Sequence, residues 1–379
     1  MPLVLVDLLS YSAAVGAKGG GMTYVKRLYT EFGRSDHEFE FVGLATRDHS
    51  GLDLSWFPGD VVASPVSGRN HFSWAYGELF SVARAARRLK ADLVHCPATL
   101  GPRRTTMPVV VTIHDMHYWS HPEFMTTPLY TAPVKWMEVQ VARNAARIVT
   151  DSEVSRQEIV KYLKFPPDRI DVAWLAGEPP DEAAAASRDR RPDLILASGN
   201  RRPHKNYVSL VRALPLIEPA RRPHLVVTGS TGDDPLRPVV AELGLREWVE
   251  LKGWVSDSEL ADLYATATAL AVPSLQEGFG LPLIDAMMAG LPLIASDIPI
   301  FHEVAGDAAH YFDPLDHQSI ADAMVAVTTR PDLAAGLVAA GRRRAGLFSW
   351  AQTAAKTMAV FRQALGRDSV APTVNGEDL

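Results

Sequence analysis

The chain carries one cysteine, Cys96, among 379 residues. A single thiol excludes an intramolecular disulfide framework and a thiolate zinc cluster, and it fits a reducing compartment. No uninterrupted apolar run approaches the roughly 18 to 20 residues that a membrane-spanning helix needs. The apolar start at residues 3–6 is cut by Asp7 and has no basic flank, so it reads as a buried strand rather than a secretion signal. Cationic excess is absent too: Lys plus Arg is 38 against 44 for Asp plus Glu, a formal charge of -6. That balance gives no electrostatic reason to expect nucleic acid as a partner. What these absences leave is a cytoplasmic globular protein. With 47% hydrophobic and 22% charged residues, its length favours two domains.

Short apolar runs alternate with helical patterns along most of the chain. The runs fall at 3–6, 39–45, 93–95, 109–114 and 148–150, then at 194–198, 225–228, 248–251, 269–272 and 293–295. They have the character of strands buried on both faces, as in parallel sheets. Between them Val25, Leu28, Tyr29 and Phe32 recur at i, i+3, i+4 and i+7, as do Tyr207, Leu210, Val211 and Leu214. Strand and helix alternating twice over predict two doubly wound α/β domains, 1–176 and 194–348. The polar, proline-bearing stretch 177–193 reads as a linker. A last helix over 349–366 carries Trp350, Ala354, Met358, Phe361 and Leu365 on one stripe, and 367–379 reads as a disordered tail.

Four places have the composition of a site. Lys18-Gly19-Gly20-Gly21 follows the first strand and opens a helix, so free N–H groups at a helix N-terminus would favour an anion. A flexible loop is the plain alternative, and no G-x-G-x-x-G is present. His114-Asp115 ends an apolar strand, where ligands sit in open α/β sheets, with His117 and Tyr118 following. Gly199-Asn200-Arg201-Arg202-Pro203-His204-Lys205-Asn206 puts two arginines and a lysine beside a helix start, suited to a diphosphate. The lysine stands out because the chain has 9 lysines against 29 arginines. Lastly, in Glu277-Gly278-Phe279-Gly280-Leu281-Pro282-Leu283-Ile284-Asp285, two glycines expose backbone donors ahead of a helix that Pro282 is suited to start. Its two carboxylates, Glu277 and Asp285, are acceptors that match sugar hydroxyls.

Taken in this order, the motifs resemble the retaining glycosyltransferases of family four, which have the GT-B fold of two Rossmann-like domains facing across a cleft. The resemblance covers nearly the whole chain and is most specific at EGFGLPLIDAM, where the family pattern is Glu, seven residues, Glu. Here Asp285 stands at the second acidic position, one methylene shorter. The resemblance implies that Glu277 touches donor-sugar hydroxyls, Asp285 the nucleotide ribose, and Lys205 the diphosphate with Arg201 preferred over Arg202 as its partner. Gly20 and Gly21 would meet the phosphates from the opposite domain, beside the backbone of Gly278, Phe279, Gly280 and Leu281. Gly253 and Trp254 would border the base, and His114 would stand at the reaction centre. The last helix would cross back to the N-terminal domain.

The expected activity is hexosyl transfer, with retention, from a UDP- or GDP-hexose to a hydroxyl of a glycan, lipid-linked or natural-product acceptor. Lys205, an arginine and two helix N-termini could neutralise the departing phosphate, and no D-x-D is present, so neither a metal nor another cofactor is expected. Two other readings stand: a non-catalytic nucleotide-sugar-binding subunit, and a GT-B epimerase that needs no acceptor. Acceptor contacts would come from Tyr11, Lys18, His117 and Tyr118. The aromatic stretch 70–76 suits stacking on an acceptor or an ordinary helix start. Arg84, Arg87, Arg88 and Lys90 form a basic helix face, either solvated or touching an anionic membrane peripherally.

Overall fold

The computed structural model describes residues 1–11, 19–49, 52–125, 128–178, 190–230 and 232–367. Most of the linker and all but the first residue of the expected tail lie outside these residues, as does Lys18. Two all-parallel sheets organise the rest. The first contains β1 (Leu3–Asp7), β2 (Glu40–Ala45), β3 (Asp60–Ala63), β4 (Leu93–Cys96), β5 (Val109–Thr112), β6 (Arg147–Thr150) and β7 (Ile170–Val172), in the order β3-β2-β1-β4-β5-β6-β7. The second contains β8 (Leu194–Ala197), β9 (His224–Ser230), β10 (Val249–Gly253), β11 (Ala269–Val272), β12 (Leu293–Ser296) and β13 (Ala309–Phe312), in the order β10-β9-β8-β11-β12-β13. Each order reverses once, between β1 and β4 and between β8 and β11. A crevice opens beyond the carboxyl ends of the strands at such a reversal.

Central strands are fully buried and mostly apolar, as in β4, β5, β8, β11 and β12. Three strands that the apolar pattern does not reveal, β3, β7 and β13, all lie at sheet edges and are only partly buried. An edge strand has one neighbour and an open flank, so short mixed sequences such as DVVA and IDV suffice there. The helix Gly20–Arg34 buries Val25, Leu28, Tyr29 and Phe32, and the helix Tyr207–Ala213 buries Tyr207, Leu210 and Val211. Among the described residues, no helix is long and apolar enough to cross a membrane.

The last helix, Trp350–Ala364, packs on the first sheet's side of the molecule. Phe361 is enclosed by Phe32, Phe39 and His95, with ring centroids 5.0 to 6.0 Å away. Arg362 holds Glu38 through two hydrogen bonds of 2.5 and 2.9 Å. Near the crossover between halves, Glu303 of the helix Pro299–Ala305 accepts from the backbone amides of Glu153 and Val154 at 2.7 and 3.0 Å. It also accepts from Trp174 Nε1 at 3.1 Å. One half thus caps a helix N-terminus, Glu153–Leu163, belonging to the other. Glu303→Ala removes this cap and should lower unfolding free energy by about 1 to 2 kcal/mol. Urea melts of both proteins check it, and an unchanged midpoint would refute the capping role.

Candidate active site

His114 lies just past the end of β5 and Asp151 just past the end of β6, the neighbouring strand. Strand pairing therefore brings together two residues separated by 37 positions. His114 Nδ1 is 2.6 Å from Asp151 Oδ2, and Nε2 is 3.3 Å from the carbonyl oxygen of Pro97. Both ring nitrogens face acceptors, which favours the doubly protonated imidazole. Burial opposes that charge, but the carboxylates of Asp151 and Asp115 outweigh it and raise the pKa of His114. The edge-to-face ring of Tyr24, 4.7 Å away, fixes the plane. The chain pattern offered a signal for Asp151 that the sequence reading missed: like His114, it is a polar residue directly after an apolar strand.

The second half meets this strand end through Gly278. A Cβ there would sit 2.4 Å from the carbonyl oxygen of His114 and 3.1 Å from Asp115 Cβ. Only a residue without a side chain allows that approach. Ser152 Oγ donates to the Gly278 carbonyl at 2.9 Å, and Ser155 Oγ donates to the His114 carbonyl at 3.0 Å.

Lys205 ends the short 3-10 turn Pro203–Lys205, after which Asn206 adopts a left-handed φ of 56°. Its Nζ lies 2.5 Å from Glu277 Oε1, which also accepts from Ser274 Oγ at 2.7 Å. The two side chains are only 16% and 11% exposed. Burial pushes the Glu277 carboxyl up, but the Lys205 ammonium and the Ser274 hydroxyl bring it below its ordinary value. Beside them His204 is buried with Nδ1 unpartnered, and burial pushes its pKa down to about 4. Its ring is 5.2 Å from that of His117 in the other half.

Arg201 is a correction. Its side chain is 7% exposed, paired with Asp234 and donating to the carbonyls of Val227 and Thr228. Its donors are consumed in bracing the end of β9, so they do not face a diphosphate. Arg202 is exposed and has no ion pair among the described residues.

The two glycine-led helix N-termini approach each other. Gly20 opens the helix Gly20–Arg34 after Gly19, whose φ is 121°, and Leu281 opens the helix Leu281–Met288 after Gly280, whose φ is 104°. A Cβ on Gly20 would be 3.7 Å from Leu281 Cδ1, while Gly21 points into open space. Phe279 turns its ring inward against Phe348, leaving its backbone at the loop surface. Asp285 Oδ1 accepts from the Glu178 amide at 3.1 Å, and burial raises its pKa to about 7. Gly253 ends the edge strand β10 beside Ser230, followed by a Trp254 that is largely exposed. Tyr11 is a second correction: it is buried, its hydroxyl donating to Pro97 at 3.2 Å, and does not reach out to an acceptor. His117 and Tyr118 are partly buried on the short helix His117–Ser120.

The geometry thus joins His114 with Gly278, Lys205 with Glu277, and Gly20 with Leu281, each pair spanning motifs far apart in sequence. Through Glu277, the Lys205 ammonium is held four residues ahead of the start of the helix Leu281–Met288. For His114, replacing Asp151 with Asn leaves burial opposed only by Asp115 and the Pro97 carbonyl. Its imidazole pKa, followed by NMR titration, should then fall; an unchanged value would remove Asp151 from its role.

Residues 18–176 match the family described as Glycosyltransferase Family 4, and residues 180–344 match Glycosyl transferases group 1. The chain is 31% identical over 298 residues to O-antigen chain mannosyltransferase B of Escherichia coli, covering 74% of this chain and 76% of that protein. It is 29% identical over 307 residues to MMP alpha-(1->4)-mannosyltransferase of Mycolicibacterium hassiacum, covering 75% and 73%. Among solved structures, sucrose-phosphate synthase from Thermosynechococcus elongatus superposes with a TM-score of 0.77 at 18% identity, covering 97% of this chain and all of that one. Anabaena HepE in complex with UDP-glucose gives 0.70 at 15% identity, covering 95% and 99%. With its two parallel-sheet domains in the GT-B arrangement, the chain belongs to the family-four, group 1 glycosyltransferases, enzymes that transfer sugars from nucleotide-sugar donors.

Proposed function

We propose that this enzyme moves a hexosyl group, with retention and without a metal ion, from a UDP- or GDP-hexose to a hydroxyl of a glycan, lipid-linked or natural-product acceptor. The observation that carries the reading is the Lys205–Glu277 pair held by Ser274 at the mouth of the second domain. Breaking an anomeric bond to a nucleoside diphosphate leaves charge on the departing phosphate. Lys205, Arg202 and the amides at the two helix N-termini supply fixed positive potential for it. Glu277 accepts from sugar hydroxyls, His114 faces the sugar at the reaction centre, and Asp285 takes the ribose. Gly253 and Trp254 border the base. The mannosyltransferases among the relatives make mannosyl the first hexosyl group to assay.

Thermal-shift measurements with UDP, GDP, dTDP and ADP, each with and without EDTA, test donor base and metal independence together, because stabilisation scales with occupancy. One diphosphate should stabilise the enzyme equally in both conditions, and Lys205→Ala should lose that shift and about a hundredfold in turnover. Stabilisation abolished by EDTA, or normal turnover in the variant, would overturn the assignment. Product analysis with donor alone separates transfer from epimerisation.

Asp285 adds a pH prediction. Its carboxyl is raised from 3.8 to about 7, so the fold favours its protonated form, and the stability tied to it declines as pH rises from about 4 to 7. Asp285→Asn should therefore melt no lower than the native enzyme at pH 8, yet bind nucleotide about tenfold more weakly through the lost charged acceptor. Melting curves and calorimetry at pH 6 and 8 check both; unaltered affinity at pH 8 would exclude the ribose contact.

A further inference from the structure

The first domain carries a second feature unconnected with donor binding. A recess of about 300 Å³ is lined by four guanidinium groups, Arg84, Arg87, Arg103 and Arg104, with Phe80 and Ala83 at its walls. None of the four has a carboxylate partner among the described residues. On the helix Val82–Leu89, the alanines at 83, 85 and 86 face inward, while Arg84, Arg87 and Arg88 face out. Like charges crowded around one recess call for an anion, and planar guanidinium forks match phosphate oxygens best.

Exposed aromatic rings surround the recess. Phe72 is 90% exposed, and Tyr76, Phe80 and Trp136 are 46%, 40% and 45% exposed. Contacts tie three of these rings to the arginines: Tyr76 lies 5.3 Å from Phe80, Arg84 stands over Tyr76, and Arg103 stands over Trp136, while Phe72 precedes Tyr76 by one helical turn. Arg103 is tied to this helical segment by its amide, which donates to the Leu79 carbonyl at 3.1 Å. Free phosphate would satisfy the arginines and leave these rings in water. A surface offering phosphate at one depth and hydrocarbon just beneath satisfies both, which is the pattern of interfacial protein segments.

We infer that this face docks on the anionic surface of a phospholipid bilayer. The arginines take lipid phosphates, and Phe72, Tyr76, Phe80 and Trp136 enter the boundary between headgroups and chains. The whole chain is acidic, at -6, so this face concentrates positive charge against the average and orients the molecule as it approaches. Arg103 and Arg104 lie in the β4–β5 loop, 97–108, whose first residue, Pro97, meets His114 Nε2 through its carbonyl. Docking therefore places the membrane on the same domain, and on the same loop, as the proposed reaction centre.

The test uses the full chain without nucleotide sugar, so its failure would leave the transferase assignment standing. Protein is sedimented with vesicles of phosphatidylcholine alone or mixed with phosphatidylglycerol. It should pellet with the mixed vesicles only, less so as salt rises. The double substitution Arg84→Ala, Arg87→Ala should cut partitioning on the order of thirtyfold. Phe72→Ser with Phe80→Ser should cut it about tenfold at low salt. All four positions are exposed, and melting curves confirm folding. Absence of binding to mixed vesicles, or binding indifferent to both variants, overturns the inference. So does release by inorganic phosphate with the aromatic variant binding normally, which marks a simple ion site. Lipid-free dimerisation lost in the aromatic variant would assign the face to a second copy instead.

Discussion

The arrangement depends on how closely two backbones pass. At Gly278 any side chain would collide with the His114 carbonyl, its Cβ 2.4 Å from that oxygen. Because that space is empty, the carboxyl edge of one sheet lies directly against the loop of the other. Two serine hydroxyls, Ser152 and Ser155, then tie the pair of carbonyls that face each other. Each such bond contributes about 1 kcal/mol net, so the contact is specific without being strongly adhesive. It fixes Glu277, one residue earlier, relative to His114 by a short rigid path rather than by flexible side chains.

Electrostatics at this junction makes little sense as stabilisation. Burying an ammonium and a carboxylate costs several kcal/mol per ion before their attraction is counted, and an apolar pair often serves stability as well. Yet one of only 9 lysines is placed this way. On the proposed function the pair is a preset exchange. A diphosphate entering between the helix N-termini competes for the Lys205 ammonium, and the released Glu277 carboxylate becomes an acceptor for sugar hydroxyls. One displacement sets both contacts, and the binding of charge and the recognition of the sugar become coupled.

Much of this was legible in the sequence because burial on both faces leaves a simple trace. The central strands read directly as apolar runs, and the residues after them, His114 and the loop to Lys205, stood out as polar groups where a parallel sheet presents its ligands. The edge strands β3, β7 and β13 left no such trace. Nor did partnerships across long separations: Arg201 looked like the best cation of its loop, but Asp234, 33 residues on, claims it. Asp151 carried the same mark as His114, a polar residue directly after an apolar strand, but its partnership with His114 comes from the β5–β6 register and not from its own neighbours in the chain. Residue type shows what a side chain can do; only the register decides which partner it meets.

The halves are joined differently at their two ends. At the crossover, Trp174 packs on Phe348, which packs on Phe279, and Gly177 lies so near the helix carrying Ile284 and Asp285 that a Cβ would come within 3.0 Å of the Ile284 side chain. Apolar contact of this kind costs about 25 cal/mol for each Å² returned to water. At the cleft, by contrast, the junction is made of hydrogen bonds: Ser152 to Gly278, and Gln276 to Ser120 and Glu158. Water replaces such bonds at small net expense. The two seams therefore differ in kind: polar at the cleft, and apolar at the crossover, where Glu303 also caps the neighbouring helix.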